Sequence, residues 1–248
     1  MGSLRGLKHL IAVVLAAFTV GNAVASQEYT TTQCAKFGQP EFVFSVDDGL
    51  LSDADVQWFR SALEGMVAAG EKFKAGQTLL VGPVLLRLEA AEGGRLRVLE
   101  PDMKSMPFKY VPSVSNTINM VRRQRYTADS LGATRDISFA PLHLPLLVTQ
   151  DALKAPMILM MRNSREGMGT GWVLSDAQSK RSLAEEKLQA VSVYEAVLQR
   201  PELVDFLALP DQFSVLVVSR KQFSVFKDGK PVEPAAGSYL DRLAKPAQ

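Results

Sequence analysis

Met157-Ile158-Leu159-Met160-Met161, then Gly167, Gly169 and Gly171, then Trp172-Val173-Leu174 is the stretch that sets the fold class of this chain. Two apolar runs of strand length separated by glycines predict a hairpin with a flexible tip. Downstream, Leu188, Val191, Tyr194 and Leu198 recur at spacings that keep them on one helical face. Pro201 opens a second short helix carrying Leu203, Val204, Phe206 and Leu207, and Pro210 ends it. Two further strands, Phe213 to Val218 and Gln222 to Phe226, close the unit. Periodicity thus predicts a small α/β unit over 147–234.

Upstream lies a second unit, expected over 41–131. Glu41 to Val46 reads as a strand ended by Asp47-Asp48-Gly49. Ser52, with Asp55 three residues on, predicts an N-cap for a helix running to about Ala69, with Gly70 as its stop. Thr78 to Leu88 is a long apolar run interrupted at Gly82-Pro83, where a bulge or sheet edge is expected because proline cannot donate to a ladder. Glu92-Gly93-Gly94 signals a hairpin into Arg95 to Leu99. Pro107, Phe108, Tyr110 and Pro112 form an irregular crossing. Ser113 is expected to cap a helix with Val114, Ile118 and Val121 inward and Arg122, Arg123 and Arg125 outward. Gly132, Pro141 and Pro145 punctuate 132–146, which reads as a linker. Residues 26–40 read as loose and 235–248 as a tail. The fold class expected is α+β: two lobes, each a mainly antiparallel sheet packed with one or two helices, after a signal peptide.

That leader is residues 1–25. Arg5 and Lys8 precede an apolar stretch from Leu10 to Val20, and Ala23-Val24-Ala25 offers a small-x-small cleavage site. The apolar run is short for a membrane span, so a cleaved signal peptide is expected, with an uncleaved anchor as the alternative. The expected location is therefore the periplasm, with no stable membrane insertion after cleavage. Two of the 28 basic residues sit in the leader, leaving 26 against 26 acids and no net charge. A neutral chain gives no electrostatic case for a nucleic-acid partner. Cys34 is the sole cysteine, so no internal disulfide forms; an inert thiol is expected, with a bridge to another chain as the alternative.

Residue order adds a resemblance. Leu147-Val148-Thr149, a strand, Gly171-Trp172-Val173-Leu174-Ser175-Asp176, then Val191 to Leu198, Pro201, Phe206-Leu207, Pro210 and a strand at Phe213 resembles the immunity protein thirty-three family of bacterial polymorphic toxin systems. The chain departs from that family after Gly-Trp, where Asp176-Ala177-Gln178-Ser179-Lys180-Arg181 replaces an acidic run. The first half, through Gly76-Gln77-Thr78, Leu99-Glu100-Pro101-Asp102, Ser105-Met106-Pro107 and Ser115-Asn116-Thr117, is similar to an uncharacterised domain that accompanies the family. The resemblance implies a cognate protein toxin as partner, bound by occlusion of its active site.

Catalytic chemistry finds few groups. His143 is the one histidine beyond the leader, no Gly-x-Ser-x-Gly elbow exists, and zinc would need more histidine or thiolate than is present. Asp47, Asp48, Asp53 and Asp55 do not match an EF-hand spacing. Gly167, Gly169 and Gly171 lack the Lys-Ser/Thr of a phosphate loop. No cofactor or metal is expected, and the expectation is a binding protein. The candidate partner-binding residues are Gly169, Thr170, Trp172 and Asp176 near the hairpin, and Arg122, Arg123, Arg125 and Tyr126 on the helix. Trp172 lies between apolar neighbours, which favours a core role over an interface anchor. The alternatives are an envelope hydrolase using the carboxylates Glu100 and Asp102, and a structural envelope module.

Overall fold

Strand-length apolar runs, punctuated by glycine and proline, fold into two mixed sheets that share a buried core with the helices. The computed structural model describes residues 26–47, 49, 51–163 and 169–244; the leader reading, Asp48, Gly167 and Met168 lie outside that set. In chain order the elements are β1 (Ser26–Thr30), β2 (Phe42–Asp47), α1 (Asp53–Ala68), β3 (Thr78–Val81), β4 (Val84–Ala90), β5 (Leu96–Pro101), β6 (Tyr110–Val111) and α2 (Ser115–Ser130). There follow β7 (Pro145–Thr149), β8 (Ile158–Arg162), β9 (Trp172–Asp176), β10 (Leu188–Ser192), α3 (Val193–Gln199), β11 (Phe213–Ser219), β12 (Gln222–Lys227), β13 (Lys230–Val232) and α4 (Tyr239–Ala244). The first sheet has the order β1-β2-β5-β4-β3, with β6 on the end of β5; the second runs β10-β7-β9-β8-β11-β12-β13. Each has one parallel pair, β2 with β5 and β7 with β9, and is otherwise antiparallel. The α+β expectation holds.

Local signals explain most boundaries. Ser52 caps α1 with a reciprocal capping box to Asp55, as its spacing predicts. The Glu92-Gly93-Gly94 turn joins β4 to β5. Gly82-Pro83 forms a tight hairpin between β3 and β4, so the expected single strand is two, without a bulge, and β3 is a sheet edge, the other alternative expected from the proline. The turn places Gly82 at φ 56°, against the Val121 side chain, where a β-carbon has no room. Leu188 and Val191 are not helical: their segment pairs antiparallel with β7, and Ser192 caps a shorter α3 by accepting from the Glu195 backbone N–H at 3.1 Å.

The expected loose segment 26–40 is an edge strand followed by a 3-10 turn at Cys34–Phe37. Tyr29 stacks on Phe44 at 5.7 Å, and the Glu41 carboxylate accepts from Thr31 Oγ1 at 2.5 Å and the Ala35 N–H at 2.9 Å. Cys34 is buried there, and burial pushes its thiol up to about 11, which makes it a poor nucleophile. The segment read as a linker is strapped to both halves: the Ser138 N–H donates to the Ala208 carbonyl, and the Leu142 N–H to that of Pro83. The expected tail carries α4, whose Leu240 is buried against α2.

Candidate functional site

α2 is the beam between the halves. It packs against α1 and β2 of the first half, and against α4 and the 3-10 turn Pro201–Phe206 of the second. This changes the reading of its arginines. Arg123 Nε and Nη2 donate to the two carboxylate oxygens of Asp205 at 2.8 and 2.7 Å, and Asp205 is 1% exposed. Burial works against the charge of Arg123, and Asp205 more than offsets it, so its pKa is raised. Tyr239 on α4 donates to the same carboxylate at 2.8 Å. Arg122 pairs with Asp55 of α1 at 2.8 Å. Arg125 sits over the Trp58 ring at 5.6 Å, and half-exposed Tyr126 lies 6.0 Å from the Tyr239 ring. The expected solvated arginine face is therefore a corrected reading: two of its three arginines are tied into inter-helix ion pairs. Arg122, Arg125, Tyr126 and Trp58 instead edge a groove of about 250 Å³ between α1 and α2.

α2 also accounts for Glu100. Ser113, the expected cap, accepts from the Ser115 N–H at 3.1 Å, but most of the first turn rests on Glu100, whose fully buried carboxylate accepts four hydrogen bonds. The donors are the Asn116 N–H and Nδ2 at 3.0 Å each, and the Thr117 N–H and Oγ1 at 2.7 Å each. Two orphan amides of the first turn are satisfied this way, and the carboxylate sits at the positive end of the helix. Burial pushes the Glu100 carboxyl up, while these donors pull it down. Asp102 faces elsewhere, accepting from the Tyr194 hydroxyl at 3.1 Å. The two acids carry separate structural duties, with none of the open geometry a paired acid and base need.

The hairpin candidates lie on the second sheet. Trp172 is 1% exposed; its indole N–H donates to the Leu207 carbonyl at 3.0 Å, and Arg162 lies over its ring at 5.4 Å. It is a core residue, with no face open to a partner. Thr170 is also buried, and its N–H and hydroxyl both donate to the Pro145 carbonyl, at 3.0 and 3.1 Å. That double tie fixes Gly169 to Gly171 against the start of β7. Asp176 accepts from the Gln178 N–H at 2.9 Å, closing the turn after β9. Gly169 and Thr170 edge a shallow cleft of about 490 Å³ that continues over Leu147, Val173 and Ala190. Cross-strand register puts Leu147, Val173, Met161 and Ser214 in one row and Ser175, Leu159, Leu216 and Ser224 in the next. Both rows face away from the Trp172 side and hold no charge. Leu147 is exposed, and Leu159, Met161 and Leu216 are half-buried.

A second opening, unforeseen from the sequence, forms where the halves meet. Leu85, Met106, Phe108, Tyr110, His143 and Tyr194 are among those lining a hollow of about 230 Å³. Met106 is 57% and Phe108 40% exposed, both high for large apolar side chains. Phe108 meets Tyr110 edge-on at 5.4 Å and leans on Tyr194 at 5.3 Å. Burial, and then Asp102, push the Tyr194 phenol up to about 12, so it stays a donor. The signal available was the density of Met, Phe and Tyr in 106–110, which had read as an irregular crossing. Among the described residues no group of three or more His, Cys, Asp or Glu is placed to hold a metal ion. No helix among them is long and apolar enough to cross a membrane.

A family model described as an Imm33-like domain matches residues 123–228. The match begins inside α2, at Arg123, upstream of the Leu147 start expected from the sequence, and runs just past β12. The C-terminal half is thus similar to the immunity protein 33 family, in keeping with the residue order of 147–226. No curated protein and no solved structure matches the chain.

Proposed function

We propose that this chain is an exported, periplasmic immunity protein that binds a toxin protein and neutralises it by covering its active site. The Imm33-like match over residues 123–228 carries the reading. The second sheet supports it physically. An uncharged, partly open strand face beside a fixed glycine rim is a preformed surface, which lowers the ordering cost of binding. Occlusion needs shape and burial and no reacting group. Export rests on the basic start, apolar stretch and small-x-small site of residues 1–25.

The test is co-expression with the toxin encoded beside this chain, targeted to the periplasm, with and without residues 1–25. Protection by the full chain, none by the leaderless form, and co-purification in equal amounts are the expected results. Growth arrest despite folded, exported protein refutes the neutralising role. Turnover of a small substrate by the purified chain refutes the binding-only mechanism. Protection by the leaderless form refutes the location.

A further inference from the structure

Resting on that reading, the geometry points to the aromatic hollow between the halves as the anchor pocket for the partner: it takes one apolar or aromatic side chain from an acidic segment. Three observations carry this. The hollow presents methionine and aromatic side chains at an opening, the composition that supplies anchor contacts in protein interfaces. Its volume suits a single ring. The loop that carries Met106 and Phe108 is basic: its Lys104 and Lys109 are exposed and have no ion pair among the described residues.

The other charges near the hollow are one ion pair and one carboxylate. Arg87 lies over Tyr110 at 5.9 Å and pairs with Glu89 at 3.5 Å. Asp102 is turned to Tyr194 and Ser105. His143, exposed on the far side, adds a ring with nitrogen donors. Two ammonium groups on this loop, set against the single carboxylate of Asp102, leave it net positive, which favours carboxylates beside the inserted residue and repels basic flanks. The hollow and the sheet cleft approach each other at the start of β7. One residue, Leu144, separates His143 of the one from Pro145 of the other, and Ser192 of the hollow pairs with Pro145. A partner spanning the sheet face can therefore reach both.

The probes are two capped pentapeptides, Glu-Glu-Phe-Glu-Glu and Lys-Lys-Phe-Lys-Lys, titrated into the full chain while methionine methyl signals are followed by NMR. Met106→Leu assigns the Met106 signal. The acidic peptide is expected to shift it and to bind roughly fivefold more tightly than the basic one, the discrimination that two exposed charge pairs supply. The double charge reversal Lys104→Glu with Lys109→Glu touches exposed, unpaired side chains and should invert that preference. Phe108→Ala should abolish the shift with unchanged circular dichroism.

No movement at Met106, equal response to both peptides, or a preference that survives the reversal overturns the proposal. So does a Met106 signal that depends on protein concentration alone, which would assign the hollow to a second copy of the chain. Peptide binding without protection in the co-expression test removes the toxin and keeps the pocket. Protection by a chain whose pocket ignores both peptides does the reverse.

Discussion

Replacing Asp205 with alanine separates the folding role of Arg123 from any binding role. Asp205 is enclosed, with the Arg123 guanidinium bidentate on it and Tyr239 donating to one of its oxygens. Its removal leaves Arg123, whose side chain is 15% exposed, charged and without its partner. Breaking a buried pair from one side costs about 3–5 kcal/mol, and the lost Tyr239 bond places Asp205→Ala near the upper end. Arg123→Ala should cost less, roughly 2–3 kcal/mol, because Tyr239 still donates and Arg220 Nε lies 3.4 Å away. The double variant Arg123→Met with Asp205→Leu removes both charges and fills the space, so it should be more stable than Asp205→Ala alone. The assay is urea unfolding followed by circular dichroism, with the Arg123→Ala/Asp205→Ala double variant closing a cycle with the wild type and the two alanine variants. Lys154→Ala is the control, because its pair with Asp151 is largely exposed, and no measurable change is expected. An Asp205→Ala loss below about 1 kcal/mol, with no coupling in the cycle, refutes the reasoning.

Three further outcomes follow from the same geometry. Glu100→Gln turns an amide NH₂ toward groups that already donate, so a loss of about 3 kcal/mol in urea unfolding is expected; wild-type stability would mean that the carboxylate is not the cap of α2. Gly82→Ala combines a positive φ with a β-carbon lodged on Val121, and should cost about 1–3 kcal/mol, visible as a lower thermal midpoint; an unchanged midpoint argues against the tight β3–β4 turn. Burial pushes the Asp55 carboxyl up, but hydrogen bonds from Ser52 and Arg122 outweigh it and hold the group below its ordinary 3.8. Its stabilisation is therefore complete above that value and is lost as pH falls through the lower folded value. Arg122→Met should lower the urea midpoint at neutral pH and converge on wild type in acid; a constant difference would show that the ion pair contributes nothing.

The elements legible in the sequence were those whose cause is local. The Ser52 box, the Glu92-Gly93-Gly94 turn and the strands from Phe213 and Gln222 depend on neighbours a few residues away. What escaped was set by distant partners. Leu188 to Ser192 has helix-compatible spacing, yet the free edge of β7 captures it as a strand. Ser113 is a good local cap, yet Glu100 arrives from another strand with two acceptor oxygens and more charge. Tyr29 has no sequence neighbour that predicts its stack on Phe44. Single-sequence reading carries no term for such pairings.

The same physics divides the candidate site. Residues chosen for their chemistry, Arg123, Glu100 and Trp172, are those a fold consumes most readily, because a buried charge or indole must find partners. Once inside, they hold α2 and the second sheet in place, and function passes to what the fold leaves open. Here that remainder is apolar: Leu147, Leu159 and Met161 on one face, Met106 and Phe108 at the junction. Exposed apolar surface is costly to a chain that stays alone in water. Tyr194 gives the junction a rigid lining. Its hydroxyl is held by Asp102 and Ser105, so its buried ring is a fixed part of the lining of the hollow. A rigid ring in such a lining loses little entropy on binding, which is what the proposed anchor pocket needs.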